Sequence, residues 1–67
     1  MTQAINITEK DRDMLVGGLK DSISVYRRYI DSYQKNYADG APECVDECRK
    51  EIRAREELKG FLMGLKF

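Results

Sequence analysis

Asp39-Gly40-Ala41-Pro42 is the one break in a chain of 67 residues that is otherwise patterned for helix. Gly40 is free to take the left-handed backbone that ends a helix, and Pro42 presets the first turn of the next one. So short a turn sends the chain back along itself, which lays two helices side by side in opposite directions. The expected fold is all-α: an antiparallel two-helix hairpin, with helix over about 8–39, a turn at 39–42 and helix over about 42–66, in one domain spanning residues 1–67.

Working outward from the turn, both arms carry their own helix signals. Thr8 followed three positions later by Asp11 forms a capping pair, hydroxyl to orphan N–H and acid to the positive end of the dipole. Leu15, Leu19, Ile23, Tyr26, Ile30, Tyr33 and Tyr37 recur at steps of four and three, so they share one stripe. The second arm opens with Glu43, Asp46 and Glu47 and carries Lys59 and Lys66 toward its end, the charge order that suits a helix dipole. Asp31 with Lys35, Asp46 with Lys50 and Glu51 with Arg55 are opposite charges one turn apart. Folding at Gly40 sets Leu19 against Leu62, Ile23 against Leu58 and Ile30 against Ile52, with Tyr33 and Tyr37 over Cys48 and Cys44. Gly17 and Gly18 fall opposite Met63 and Gly64, where the missing side chains either bring two backbones together or receive a bulky residue from another chain.

A chain this short buries roughly 60% of the surface its unfolded form exposes, which is marginal for a protein alone. Two cysteines and no histidine leave disulfides and metals in short supply, so oligomerisation into a larger helical bundle is the expected remedy. The surplus of apolar residues agrees. Gly60 to Phe67 is apolar nearly all round, and Val16, Val25 and Tyr29 lie off the main stripe of the first helix. Val16, Gly17, Gly18, Phe61, Met63, Leu65 and Phe67 form the expected interface, with a second copy or a partner protein covering them.

Twelve basic and twelve acidic residues balance, so no global field draws the chain to nucleic acid or to an anionic membrane. The amino terminus lacks the basic-then-apolar pattern of a secretory signal, and the apolar run at Phe61 to Leu65 is too short to span a bilayer. A cytoplasmic protein with reduced cysteines is expected.

Two constellations bear on chemistry. Cys44 and Cys48 lie one turn apart, but a tetrahedral metal site needs further ligands that the chain lacks, so small residues packed under tyrosines are expected, with no metal and no cofactor. They also resemble half of the twin CX3C pattern of small mitochondrial intermembrane-space hairpins, whose other half is missing here, so that family is rejected. Tyr26-Arg27-Arg28-Tyr29 faces Arg53 and Arg55 across the hairpin, and guanidiniums beside phenols suit an anionic nucleotide, phosphate on arginine and base on ring. Enzyme chemistry has no histidine, glycine-rich phosphate loop or activated serine to work with, so a non-enzymatic protein is expected.

In size, in the run Ile7-Thr8-Glu9-Lys10-Asp11 and in its hairpin pattern, the chain resembles the small accessory proteins encoded by phages. Ala54-Arg55, Leu58, Gly60-Phe61-Leu62-Met63 and Leu65 are similar to the second helix of the oligomeric hairpins with which phages sequester cyclic-nucleotide immune signals. That likeness is confined to residues 54–65, takes a one-residue gap before Gly60 and carries no binding residue across. It implies an anti-defence role in the host cytoplasm. The leading expectation is an oligomeric helical binding protein that occupies and inhibits a host protein. The alternatives are a sponge holding an anionic nucleotide between protomers and, third, a nucleic-acid binder.

Overall fold

The computed structural model describes residues 7–67; residues 1–6, which include most of the stretch read for a targeting signal, lie outside it. Two helices make up the regular structure among the described residues: α1, Glu9–Asn36, and α2, Pro42–Met63. They pack antiparallel as one hairpin of 49 × 25 × 14 Å. A helix with its side chains is about 10–12 Å across, so the short dimension is a single layer.

α1 starts where its cap dictates. The Asp11 N–H donates to Thr8 Oγ1 at 3.1 Å and the Thr8 N–H donates to Asp11 Oδ2 at 3.2 Å, a reciprocal capping box. It ends three residues short of the expected Asp39. Tyr37 turns extended (φ −119°, ψ 136°), and the reversal then needs two successive left-handed residues, Gly40 at φ 75° and Ala41 at φ 46°. Gly40 therefore serves the loop rather than the helix end. The Asp39 carboxylate accepts the Ala41 N–H at 3.0 Å and holds the bend. Pro42 opens α2 at its first position, as its fixed φ favours. α2 stops at Met63, so Lys66 falls beyond the helix and the last turn carries no basic residue.

Between the helices runs a seam of fours and threes. It consists of Val16, Leu19, Ile23, Tyr26, Ile30 and Tyr33 on α1 and of Val45, Cys48, Ile52, Arg55, Lys59 and Leu62 on α2, all buried or half-buried. That 3.5-residue repeat is the pattern of an antiparallel coiled coil. Cross-helix bonds from Arg55 to Ser22 and from Arg27 to Glu56 have the register expected from folding at Gly40.

Three core assignments change. Val16, expected at an outer interface, is 8% exposed and belongs to the seam; Leu15, expected on the stripe, points out beside it. Leu58 leaves the core and lies half exposed, because the heptad step selects Lys59 in its place and the lysine stem lines the seam. Val45 is the most enclosed of the buried residues at 3% and had no expected partner. Asp46 also yields its expected partner: Lys50 pairs with Glu47 at 3.4 Å, while Asp31 with Lys35 and Glu51 with Arg55 form as expected.

The positive φ of Ala41 makes a direct test. A Cβ in the left-handed region costs about 1–2 kcal/mol, part of which glycine gives back as unfolded-chain entropy. Ala41→Gly is expected to stabilise the fold by roughly 0.5–1 kcal/mol, and Gly40→Ala to destabilise it, both read by urea unfolding. Loss of stability with Ala41→Gly, or no cost with Gly40→Ala, would show that the loop is not held in this conformation.

Candidate functional site

The residues one step around each helix from the seam define two edges of unlike character. On α1, Leu15, Gly18, Ser22, Val25 and Tyr29 follow one another by threes and fours; on α2, Ala54, Leu58, Phe61 and Leu65 do the same. These two rows border the same side of the seam. Near the chain ends they enclose an open groove of about 330 Å³ lined by Leu15, Leu58, Phe61, Leu62, Leu65 and Phe67, with Ile7 and Lys66 at its rim. A second hollow of about 340 Å³ continues it past Met14, Gly18 and Leu19 and shares Leu15, Leu58 and Leu62. Leu15 is 50% exposed, Leu58 49% and Phe61 59%, so this is a continuous apolar face open to water.

The opposite edge is charged. Arg27 meets Glu56 at 3.2 Å, and Lys20, Ser24 and Lys59 lie around them. Met63 sits on this side, beside Val16, Gly17, Arg12 and Asp13. The expected interface set is thus divided: Gly18, Phe61, Leu65 and Phe67 share the apolar edge, Gly17 and Met63 take the charged one, and Val16 is interior. No backbone approaches either glycine, since a Cβ added at Gly17 or Gly18 would meet nothing within 4 Å. Phe67 is held by the Arg12 guanidinium, 5.1 Å from its ring centre, which ties the end of the chain to the first turn of α1.

The tyrosine and arginine group is also divided. Arg55 lies in the seam with its guanidinium 4.6 Å from the Tyr26 ring centre. It donates to Ser22 Oγ at 2.7 Å and to Glu51 Oε2 at 2.6 Å. The bond to Glu51, ahead of the nearby Tyr26, raises the Arg55 pKa even against partial burial. Tyr29 meets Tyr26 edge to face at 5.9 Å. Arg27 belongs to the charged edge, and Arg28 and Arg53 are exposed on the outer surfaces of their helices. Tyr26, Tyr29 and Arg55 are therefore brought together and the other three are not; the guanidinium that is best placed already has its carboxylate.

Near the turn, Cys48 is buried and Cys44 exposed, and both are free thiols. Burial, then Cys44, Glu47 and Glu51, push the Cys48 thiol above its ordinary pKa. Tyr33 is raised chiefly by Cys44, then by burial and Cys48. Among the described residues no three His, Cys, Asp or Glu side chains converge as metal ligands, and no helix is long and apolar enough to cross a membrane. The apolar edge was only partly found from the sequence, through Phe61 and its neighbours. Leu15 was placed on the inner stripe because it lies four before Leu19 where the packing takes Val16, three before, and Leu58 because folding at Gly40 set it opposite Ile23. Comparison with protein-family profiles, curated proteins and solved structures returns no match.

The thiols separate on reactivity. At neutral pH iodoacetamide is expected to modify Cys44 and to reach Cys48 only after denaturation, as peptide mass mapping would read. The raised Cys48 pKa means that the unfolded thiol ionises first, so its contribution to stability is complete below the ordinary thiol pKa and is lost as pH rises through and beyond it. Cys48→Ala should flatten that part of the alkaline decline in melting temperature, and an unchanged profile would contradict the assignment.

Proposed function

We propose that this chain is a non-enzymatic, self-associating helical binding protein that acts by covering the surface of a partner protein, as small phage-encoded regulators do. The observation that carries the proposal is the apolar face of Leu15, Leu58, Phe61, Leu65 and Phe67, left uncovered on a hairpin one helix thick. A contiguous exposed apolar patch rimmed by polar residues marks an interaction site. Chemistry has less support: among the described residues the hollows are open, and where a thiol does lie near carboxylates, at Cys44, Glu43 and Asp39 beside the turn, the Asp39 carboxylate is engaged by the Ala41 N–H. On this reading inhibition is steric, and the regulated partner meets whatever surface self-association leaves exposed, including the edge of Gly17, Lys20, Arg27 and Met63.

The nucleotide-sponge reading draws on the Tyr26, Tyr29 and Arg55 group, where a base would find rings to stack on. It has less behind it, because a phosphate would have to displace Glu51 from Arg55, or Glu56 from Arg27 on the opposite edge. Nucleic-acid binding has only Arg28 and Arg53 as outward cations near this group, on a chain of zero net charge.

Light scattering is expected to find an oligomer for the unaltered chain at micromolar concentration. Phe61→Asp should lose both assembly and much of the helicity, since a charge placed in apolar surroundings without a partner is strongly unfavourable. Mono-, di- and cyclic nucleotides should leave the melting temperature unmoved; a clear rise with any of them would favour the sponge, because a ligand bound to the folded state alone stabilises it. A monomer at every concentration would contradict self-association.

A further inference from the structure

We infer that the apolar edge is closed by a second copy of the chain about a two-fold axis parallel to the helices, which seats Phe61 of each copy over Gly18 of the other. This rests on the reading that the chain self-associates and adds which surface closes and how.

The case comes from the order of side chains along the face. In the register fixed by Ser22 with Arg55 and Arg27 with Glu56, each level of the hairpin carries one residue from each helix. Gly18 stands level with Phe61, Ser22 with Leu58, and Val25 with Ala54. Each of these three levels pairs a larger side chain with a smaller one, and the larger passes from α2 to α1 on going from Leu58 to Val25. A two-fold axis along the helices lays α1 of one copy on α2 of the other, antiparallel and at the same level. At these three levels each larger residue then faces a smaller one, and each match occurs twice, as a closed isologous interface requires; Leu15 and Leu65, level with each other at the open end, meet as two leucines. At the Gly18 level the space is already present: nothing lies within 4 Å of the missing Cβ, and the hollow beside it is walled by Met14, Leu15, Leu58 and Leu62.

Gly18, the tenth residue of a 28-residue helix, lowers helix stability and, like Gly17 beside it, relieves no contact within the hairpin; of the two, Gly18 lies on the apolar face. The area is sufficient. Counting the exposed parts of Met14, Leu15, Leu58, Tyr29, Phe61 and Phe67, the face amounts to on the order of 600 Å² per copy. Two such faces bury roughly 1,200 Å², the lower limit of a specific interface. Charge does not oppose the contact, because Glu51 at the far end of the face is already matched by Arg55. The product is a four-helix bundle in which every neighbouring pair of helices is antiparallel, with both turns at one end.

The test exchanges knob and hole. The unaltered chain, Gly18→Leu, Phe61→Ala, the double variant Gly18→Leu/Phe61→Ala and, as control, Gly17→Leu are compared by sedimentation equilibrium, with circular dichroism alongside. The unaltered chain and Gly17→Leu are expected at twice the chain mass. Gly18→Leu sets a new leucine against Phe61 and Phe61→Ala leaves a void, so each should weaken the dimer about tenfold or more. An equimolar mixture of these two should recover the dimer, because Phe61 of one chain then meets Gly18 of the other and the new leucine meets the new alanine. The double variant should recover it for the same reason, which keeps the test decisive where either single variant folds poorly alone. If the unaltered chain dimerises but neither the mixture nor the double variant gains over the single variants, this interface is wrong and self-association stands. If the unaltered chain is monomeric throughout, self-association itself fails.

Discussion

Everything in this molecule follows from having two helices and one layer. Each helix carries two adjoining apolar rows, but a lone neighbour can cover only one of them. The seam takes Val16, Ile23, Val45, Cys48 and Leu62 below a tenth exposure, and among the described residues no side chain is wholly removed from water. With so small an interior, hydrophobic burial and the conformational entropy lost on folding come close to cancelling. The second rows, led by Leu15, Leu58 and Phe61, hold the apolar area that is still to be covered. On the proposed self-association, stability and assembly are one problem.

The polar content of the seam sharpens the point. Arg55 and Lys59 occupy positions that a self-sufficient coiled coil would give to leucine or isoleucine. Arg55 is satisfied there by Ser22, Glu51 and the Tyr26 ring, so it fixes register and side at the expense of apolar burial. The ion pair with Glu51 lies within α2 and is weak support for stability; the bond to Ser22 and the contact with the Tyr26 ring cross the seam and favour one alignment over another. It also explains why the arginine that seemed best placed for a ligand is instead a structural tie.

Much of the fold was legible from residues alone. Thr8 and Asp11 marked the start of α1, Gly40 and Pro42 marked the turn, and chain reversal there set the register. The exact seam was harder to read. Leu15 and Val16 are both apolar, as are Leu58 and the stem of Lys59, and only the fours-and-threes repeat running through Val45, Cys48, Ile52 and Arg55 decides which member of each pair turns inward. Composition cannot make that choice, because a one-residue rotation leaves each stripe nearly as apolar as before. For the same reason Phe61 and Met63 were grouped as one tail, although two residues of helix separate them by about 200° and place them on opposite edges. The end of α1 was overrun because the loop uses an extended Tyr37 and a left-handed Ala41, neither of which those residue types announce.

The central claim is that the hairpin holds its helices because its apolar edge is covered by another chain. It is tested most directly by following far-UV circular dichroism and sedimenting mass together on progressive dilution of the unaltered protein. Helicity and mass falling together over the same concentration range is the result this account predicts. Full helicity in a species of single-chain mass would contradict it.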